Sequence, residues 1–388
     1  MPHHVRLLHV ASFDGNIGDN ASHNGFYRTL TQHTGWTLDV TPREIRKTYL
    51  RYDGPDRWRW DEQFIAQVNA HDLTVVGGGN YFELWVESSV SGTTVDLDPS
   101  LLAHLQRPLV FHGIGCDPCK GHSAQTLARF ERFLKAVLDH PLCLVAVRND
   151  GSWQHIRDLF GDALAQRVLR TPDPGFFVDT EGAPLPLNLD GQRYWAVNLA
   201  VDMPEIRFPG GACLDYPGFI QAMRELAVTS LARWGDLQWV LVPHIYSDLR
   251  AINDLLEALP DHVRRQRVSV APCLHGKGAE QRMFRVYEMA ELAMGTRFHT
   301  NVCAVGLGTP SLGLVTYQKL ADLYAELNMP ERALWANRAD VNARVMPMIE
   351  QSITSAATLR DQYAEVRARL LIQAADVHHR IRQRVESV

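Results

Sequence analysis

Three side chains that carry charge or exchange protons follow two consecutive predicted strands in the last third of the chain. Arg297 and His299 come after the apolar run at residues 290–295, and Lys319 comes after the apolar run at 312–315. In an open α/β sheet, ligands bind beyond the carboxyl ends of the strands. Guanidinium and ammonium groups bind anions, and an imidazole exchanges protons near neutral pH. The spacing therefore predicts a site for an anionic ligand beside a proton-transferring group.

Two further ionisable residues end predicted strands. Arg148 follows the apolar run at 142–147 and is a candidate to bind the same anion, with simple pairing to Asp150 or Asp173 as the alternative. His244 follows an apolar run in the second half of the chain, where it either lines the site or serves as a hydrogen-bonded turn residue. From sequence alone, both interpretations stay open for both residues.

Loop residues after the first predicted strands also have two interpretations. Gly78 and Gly79 belong to a glycine run at 77–79, which either permits a tight turn with close backbone packing or lets a ligand approach the backbone. Asn16 and Asp19 stand in a turn-rich segment before the first predicted helix. They are either turn and N-cap residues or contacts to a ligand.

Aromatic residues and a cysteine pair follow the glycine run. Tyr81 and Trp85 follow it within six residues. Because aromatic faces stack on sugar rings, both are candidates for a saccharide site, with core packing as the alternative for each. Cys116 and Cys119 form a lone CxxC pair without a second pair or a histidine at matching spacing, which disfavours a zinc or redox role.

The composition argues against several classes of protein. The chain has 388 residues and a formal net charge of −5, which disfavours a general nucleic-acid binder. The cysteines are scattered, unlike those of a secreted disulfide scaffold. No apolar run approaches the ~20 residues that span a bilayer. We expect a cytoplasmic protein with at most peripheral membrane association.

Strand-like and helix-like segments alternate along most of the chain, which predicts an α/β fold with parallel sheets covered on both faces. The GxGxxG dinucleotide fingerprint is absent. The segment at 181–192 combines prolines and glycines without periodicity and is the predicted linker. We therefore expect two Rossmann-like domains, 1–180 and 193–346, that face a cleft, followed by one long helix over 347–388.

Several short motifs stand in order at the predicted strand ends. They are Gly15-Asn16-Ile17-Gly18-Asp19-Asn20, Val76-Gly77-Gly78-Gly79, Gly113-Ile114-Gly115, Arg148-Asn149-Asp150-Gly151-Ser152, Pro172-Asp173-Pro174, Gly295-Thr296-Arg297-Phe298-His299, Gly308-Thr309-Pro310 and Tyr317-Gln318-Lys319. This ordered set resembles the polysaccharide pyruvyl transferases, which commonly have Arg-Asp where this chain has Arg148-Asn149. The resemblance implies a glycosyltransferase-B-like fold, with the acceptor side on the first domain and the donor side on the second.

The resemblance also implies a reaction. In the family the Arg-x-His pair and the later lysine are associated with donor binding and catalysis, which implies these roles for Arg297, His299 and Lys319. The implied donor is phosphoenolpyruvate, and a saccharide or lipid-linked sugar gains a pyruvate ketal as phosphate leaves. Protonation of the enol methylene requires a general acid, for which His299 is the candidate, sharing a strand face with Arg297. Asp19, His244 or the leaving phosphate takes the hydroxyl proton, and the chemistry demands no metal or cofactor.

The residues assigned to the implied site come from both predicted domains. The donor candidates are Arg148, Arg297, Lys319, His244, Gly78 and Gly79, and the acceptor candidates are Asn16, Asp19, Tyr81 and Trp85. Two other functions stay open: a glycosyltransferase that uses a sugar nucleotide, which the fold permits, and a non-catalytic relative that binds a glycan. Whether the C-terminal helix packs on the domains, forms the coil of a homo-oligomer or lies on a membrane surface stays open as well.

Overall fold

The chain forms two compact units in the computed structural model, which describes residues 3–189 and 191–388. Unit 1 comprises residues 3–14, Gly25–Pro174 and Arg369–Val388. Unit 2 comprises Gly15–Asn24 and Gly175–Ala368. The first and the last long helix of the chain are therefore each divided between the two units.

The regular elements up to residue 177 include eight strands and five α-helices. They are β1 (His4–Ala11), α1 (Ile17–Thr34), β2 (Thr37–Glu44), α2 (Glu62–Asn69), β3 (Leu73–Gly77), β4 (Phe82–Glu83), β5 (Leu109–Ile114), β6 (Cys116–Asp117), α3 (Ala124–Asp139), β7 (Cys143–Val147), α4 (Ser152–Phe160), α5 (Asp162–Ala165) and β8 (Leu169–Arg170), with 3-10 turns at Ile45–Thr48, Pro99–His104 and Pro174–Phe177.

The main sheet of unit 1 has six parallel strands in the order β2-β1-β3-β5-β7-β8. β3, β5 and β7 are buried along their whole length, as expected of central parallel strands covered on both faces. Helices such as α3 cover them with an apolar stripe that includes Phe130 and Phe133. The strand order reverses between β1 and β3, so the glycines at 77–79 lie at the topological switch point of this sheet.

The second half of the chain repeats the pattern. Its elements are β9 (Arg193–Asn198), α6 (Pro204–Arg207), α7 (Tyr216–Arg233), β10 (Leu237–Leu241), α8 (Asp248–Ala258), α9 (Asp261–Gln266), β11 (Val268–Val270), α10 (Ala279–Glu288), β12 (Leu292–Gly295), α11 (Phe298–Leu307), β13 (Ser311–Val315), α12 (Gln318–Glu326), β14 (Ala333–Trp335), α13 (Val341–Thr354) and α14 (Ala356–Glu386), with a 3-10 turn at Pro330–Arg332.

The sheet of unit 2 also has six parallel strands, in the order β11-β10-β9-β12-β13-β14. Counted within this unit, the order is that of the Rossmann fold. Trp195 and Trp239 are fully buried in its core. The order reverses between β9 and β12, which end at Asn198 and Gly295, so a ligand of this sheet is expected beside these two residues.

The C-terminal segment differs from the single helix expected over 347–388. α13 begins before Pro347 and contains it, and α14 begins only after Ser355 leaves the helical conformation at φ −103° and ψ 22°. A proline inside a helix removes one hydrogen bond and favours a kink, but here the chain breaks after it instead. No glycine or proline marks Ser355, and for that reason the sequence pattern does not reveal the break.

Among the described residues, no helix combines the length and the apolar character that crossing a bilayer requires.

Candidate active site

Asn198, the last residue of β9, fixes the start of α11 at the switch point of unit 2. Its Oδ1 accepts a hydrogen bond from the backbone N–H of Arg297 at 3.1 Å, and its Nδ2 donates to the carbonyl oxygen of Val242 at 2.9 Å. Arg297 is the N-cap residue of α11. The helix therefore directs its N-terminal amides and the positive end of its dipole toward this edge of the sheet, which is a favourable place for an anion.

Two carboxylates hold the guanidinium of Arg297. Its Nε donates to Oδ1 and Oδ2 of Asp248 at 3.1 and 3.2 Å, and its Nη2 donates to Oδ1 of Asp248 at 2.5 Å. Its Nη1 donates to Oδ2 of Asp202 at 3.2 Å. Burial acts to lower the pKa of Arg297, but the two carboxylates outweigh burial and hold that pKa above its ordinary value. Arg297 is a fixed cation whose charge is already balanced within the protein.

Asp248, the first residue of α8, connects several parts of the site. Its side chain is fully buried. Besides Arg297, its Oδ2 accepts hydrogen bonds from the backbone N–H of His244 at 2.9 Å and from Nδ2 of Asn198 at 3.2 Å. One carboxylate therefore ties Arg297 to the loop after β10 and to the end of β9.

His299 lies in the first turn of α11. The sequence predicted that His299 shares a strand face with Arg297. The structure differs, because β12 already ends at Gly295. Its side chain is 9% exposed, and its Nδ1 is 4.0 Å from Oδ1 of Asp19. Its Nε2 is 3.1 Å from the hydroxyl oxygen of Ser22. The imidazole therefore packs against the first turns of α1.

The motif at the start of α1 is helical from Ile17 onward, earlier than the sequence pattern indicated. Asn16 Oδ1 accepts from the backbone N–H of Gly18 at 3.0 Å, and Asn16 Nδ2 donates to Oδ2 of Asp19 at 2.8 Å. The backbone N–H of Ile17 donates to the carbonyl oxygen of His244 at 3.2 Å. Asn16 thus closes the helix start as a turn residue, and this role leaves the partly buried Asp19 beside the imidazole.

His244 is buried among hydrogen-bonding groups. Its Nε2 lies 2.9 Å from the hydroxyl oxygen of Tyr287 and 3.2 Å from that of Thr300. Burial, and after it the charge of Arg297, holds the pKa of His244 well below its ordinary value. These contacts favour the interpretation of His244 as a neutral, hydrogen-bonded turn residue.

Lys319 and a residue that the sequence did not indicate, Arg207, lie over one aromatic ring. Nζ of Lys319 is 5.5 Å from the ring centroid of Tyr317 and 5.8 Å from that of Phe298. The guanidinium carbon of Arg207 is 5.6 Å from the Tyr317 centroid, and its Nη1 donates to the hydroxyl oxygen of Thr316 at 2.9 Å. Arg207 follows no strand and belongs to no motif, so nothing in the sequence distinguished it from a surface arginine.

Arg148 belongs to unit 1, where it is buried in an ion-pair network. Its Nε donates to Oδ2 of Asp150 at 2.6 Å, and its Nη1 donates to Oδ2 of Asp173 at 3.1 Å. The backbone N–H of Asp173 also donates to Oδ1 of Asn149, the residue that departs from the family pattern, at 2.8 Å. Arg148 thus makes both of the pairings considered as its structural alternative, and its role toward the donor stays a prediction.

The glycine run of unit 1 serves close backbone packing. Gly77 has φ 155° and Gly78 has φ 77°. A Cβ on Gly77 would lie 1.8 Å from the carbonyl oxygen of His112, and one on Gly79 would lie 2.3 Å from the ring of Tyr81. These contacts account for glycine at both positions without a ligand, so donor binding at Gly78 and Gly79 stays a prediction.

The remaining candidates of unit 1 differ in exposure. Tyr81 is 4% exposed, and its hydroxyl oxygen accepts from the backbone N–H of Ser12 at 2.8 Å. Trp85 is 45% exposed. An anchored Tyr81 fits the packing alternative, whereas the exposure of Trp85 does not decide between packing and sugar binding, so acceptor binding at both residues stays a prediction. Cys116 is buried, Cys119 is exposed, and the two do not form a disulfide.

The family model described as polysaccharide pyruvyl transferase matches residues 13–317. Curated protein sequences give no match.

Solved structures with the same fold have low sequence identity to the chain. A UDP-N-acetylglucosamine 2-epimerase has a TM-score of 0.55 at 11% identity, with 98% of this chain and 95% of that chain covered. The α,α-trehalose 6-phosphate synthase from Burkholderia multivorans has a TM-score of 0.54 at 13% identity, with 99% and 97% covered. The UDP-GlcNAc 2-epimerase from Neisseria meningitidis, bound to UDP-GlcNAc, has a TM-score of 0.51 at 12% identity, with 92% and 94% covered. The glycosyltransferase-B-like fold predicted from the sequence is confirmed.

Proposed function

Because the chain belongs to the polysaccharide pyruvyl transferase family, we propose that it moves the enolpyruvyl group of phosphoenolpyruvate onto two hydroxyls of a saccharide. The product is a cyclic pyruvate ketal, and inorganic phosphate is released. Phosphoenolpyruvate carries a phosphate and a carboxylate, so its site needs several cationic or amide donors. Unit 2 offers such groups at the switch point of its sheet: the N-terminus of α11, Arg297, Arg207 and Lys319.

The proposed reaction balances without a redox partner or cofactor. The first hydroxyl oxygen bonds to the enol carbon that carries the phosphate, while the neighbouring methylene gains a proton and becomes a methyl group. The bond between the phosphate oxygen and the carbon that carried it in the enol then breaks, and phosphate leaves with the electron pair. The second hydroxyl oxygen takes the vacated position. One hydroxyl proton offsets the proton gained by the methyl carbon, and the other leaves with a base or with phosphate.

His299 is the proposed general acid, and its position is the observation that carries the proposal. The imidazole lies in the first turn of α11, two residues after Arg297, with the Ser22 hydroxyl oxygen 3.1 Å from Nε2. A donor anion at the N-terminus of α11 would therefore lie beside the imidazole and would favour the protonated form that an acid requires. Oδ1 of Asp19 lies 4.0 Å from Nδ1 of the imidazole.

Asp19 is the proposed base for the hydroxyl proton. Its side chain is 13% exposed, so it reaches the edge of the site. His244 is the weaker candidate, because Tyr287 and Thr300 enclose its Nε2 and burial lowers its pKa. The leaving phosphate is the alternative acceptor of this proton.

In unit 1, Trp85 and Tyr81 are the proposed acceptor contacts. Trp85 supports stacking on a sugar ring through its exposed indole, while Tyr81 acts through the backbone that it anchors at Ser12. Asn16 is proposed to act indirectly, because its Nδ2 donates to Asp19 and holds that carboxylate in place. Arg148, Gly78 and Gly79 are proposed as further donor contacts because they lie in motifs shared with the family.

Phosphate release from phosphoenolpyruvate tests the proposal. Purified protein is incubated with phosphoenolpyruvate and a pool of nucleotide-linked and lipid-linked sugars, and the products are examined for a pyruvate ketal. His299→Gln is compared with His262→Gln, which changes an exposed histidine of α9. We expect release and ketal formation in the wild type and in His262→Gln, and loss of both in His299→Gln. Thermal stabilisation by UDP-GlcNAc without phosphate release would contradict the proposal.

A further inference from the structure

Asp202 stands where positive charge converges in unit 2. Its Oδ1 is 2.8 Å from Nη2 of Arg297 and 3.4 Å from Nη2 of Arg207. Nε of Arg207 also donates to the carbonyl oxygen of Asp202 at 2.8 Å. Burial alone would raise the pKa of Asp202, but the charges of Arg297, Arg207 and Lys319 outweigh it, and the pKa is lowered. The protein thus places one of its own carboxylates against two guanidinium groups, and the charge of Lys319 acts on the same carboxylate.

The two aspartates that contact Arg297 are held differently. Asp248 is fully buried, and backbone and side-chain N–H groups also bind its carboxylate. Asp202 is 27% exposed and lies in the loop after β9. The next residue, Met203, has φ 56°, a conformation that costs energy for a residue with a side chain. Asp248 is therefore a fixed partner that anchors Arg297, whereas Asp202 lies on a strained loop and is partly exposed to solvent.

We infer that Arg207, Arg297 and Lys319 form the anion-binding centre of unit 2, and that the carboxylate of Asp202 occupies this centre until an anionic group of the ligand displaces it. The identity of that ligand as phosphoenolpyruvate rests on the proposed function, but the existence of an anion centre does not. With Asp202 in place, these cations and the two aspartates carry one net positive charge. With Asp202 displaced, two positive charges face the ligand.

The inference assigns a binding role to Arg207. Its guanidinium is buried and contacts Asp202 through Nη2 and Thr316 through Nη1. Its guanidinium carbon is 5.6 Å from the ring centroid of Tyr317, and Nζ of Lys319 is 5.5 Å from the same centroid. A planar guanidinium binds carboxylate and phosphate oxygens in a bidentate way, which a lysine cannot reproduce. Arg207 is thus positioned to bind one anionic group of the donor once the carboxylate of Asp202 has moved away.

Displacement of an internal carboxylate lowers the apparent affinity for the ligand. Only the fraction of molecules with Asp202 turned away binds, so the dissociation constant rises in inverse proportion to that fraction. Asp202→Asn keeps the shape of the side chain and removes its charge. We expect this variant to bind inorganic phosphate and phosphoenolpyruvate roughly three- to tenfold more tightly than the wild type, if the competent fraction is of the order of a tenth to a third.

Calorimetric titration of the full chain with inorganic phosphate and with phosphoenolpyruvate tests the inference. Glu205→Gln is the matched control, because Glu205 is exposed on α6 near Asp202 and its loss removes the same charge. We expect unchanged dissociation constants for Glu205→Gln and dissociation constants roughly tenfold higher for Arg207→Gln, the loss of one charge-assisted contact. Arg207→Lys, which keeps the charge, should fall between Arg207→Gln and the wild type.

An equal decrease of the dissociation constants in Asp202→Asn and Glu205→Gln would overturn the inference, since the change in net charge alone would then explain the tighter binding. Wild-type affinity in a folded Arg207→Gln would overturn it too, and if that variant does not fold, the comparison of the two acidic positions decides. Failure of the wild type and of Asp202→Asn to bind either anion would also overturn it. Phosphate binding in the expected pattern without any pyruvyl transfer would keep the centre and reject the proposed function. Pyruvyl transfer with unchanged dissociation constants in every variant would keep the proposed function and reject the anion-binding centre.

Discussion

Gly18 lies directly against the imidazole of His299. A Cβ built on Gly18 would be 2.5 Å from Nδ1 and 2.8 Å from Cγ of that ring, far inside van der Waals contact. Gly18 lies within α1 and has no positive φ, so it is the close approach of His299 and not an unusual backbone that requires a glycine here. The first turn of α1 is therefore one wall of the site that holds the proposed acid.

Gly18→Ala is expected to displace the imidazole and to reduce catalysis while the chain stays folded. A shift of about 1 Å in a catalytic group costs roughly a hundredfold in kcat. Overpacking costs about 1–3 kcal/mol, which the better helix propensity of alanine offsets by about 1 kcal/mol. The measurements are kcat from phosphate release and the thermal unfolding midpoint.

The control for this change is Gly235→Ala, because a Cβ at Gly235 meets no atom within 4 Å. It should leave kcat at the wild-type level. A kcat for Gly18→Ala within twofold of the wild type would show that the position of the imidazole does not limit the reaction.

Ser22→Ala removes the hydroxyl that lies 3.1 Å from Nε2 of His299. A hydrogen bond of this kind contributes about 0.5–1.5 kcal/mol, so kcat should fall roughly two- to tenfold. The KM for phosphoenolpyruvate should not change, because Ser22 is placed to orient the acid and not to contact the donor. A raised KM with an unchanged kcat would assign Ser22 to binding instead.

The sequence predicted the strand ends better than the contacts between them. Arg297 and His299 were located by the end of an apolar run, and the fold class followed from the alternation of strands and helices. The contact of Ser22 with His299 joins residues 277 positions apart, and no local pattern carries that information. Arg207 was missed for the same reason: its partner Thr316 is 109 positions away and meets it only once β9 and β13 lie in one sheet, each paired with β12.

Local rules also misplaced two helix starts. α11 begins at Phe298, which puts His299 in a helix and not on a strand. The cause is Asn198, whose side chain accepts the N–H of Arg297 and so fixes this helix start from another strand. α1 begins at Ile17 although glycine and asparagine in the motif indicated a loop, because Asn16 closes the first turn.

Asp248→Asn should destabilise the protein far more than Asp202→Asn. Asp248 is fully buried, and loss of its charge leaves Arg297, whose side chain is 15% exposed, with only the carboxylate of Asp202 as an ionised partner. Breaking one partner of a buried ion pair costs about 3–5 kcal/mol. Asp202 is 27% exposed, so water replaces part of its contacts. Denaturant unfolding measures both variants, and equal losses of stability would contradict the assignment of Asp248 as the anchor.

Unit 1 should lose stability as the pH falls below neutrality. Burial lowers the pKa of His112 to about 3, and the ring packs against Phe26 and His378. Between its unfolded value of about 6.5 and this folded value, the unfolded state binds the proton and the folded state does not, so stability falls with falling pH. For this one group the loss from pH 7 to pH 5 is about 2 kcal/mol.

His112→Phe tests this pH dependence, because it keeps a ring in the same space and removes the titrating group. The unfolding free energy of this variant should fall by less than that of the wild type between pH 7 and pH 5. His104→Phe changes an exposed histidine of the same unit and should retain the wild-type dependence. Parallel pH profiles for the wild type and His112→Phe would rule out the buried imidazole as a cause.

The most direct test of pyruvyl transfer with His299 as the acid follows the methylene carbon of the donor. Phosphoenolpyruvate labelled with carbon-13 at that carbon is incubated with the protein and the sugar pool, and nuclear magnetic resonance records the label. We expect the methylene signal to become the methyl signal of a ketal, with one phosphate released per ketal, and His299→Gln to bind the donor without this conversion. Conversion by His299→Gln at the wild-type rate, or a methylene signal that the wild type leaves unchanged with every acceptor, would contradict the account.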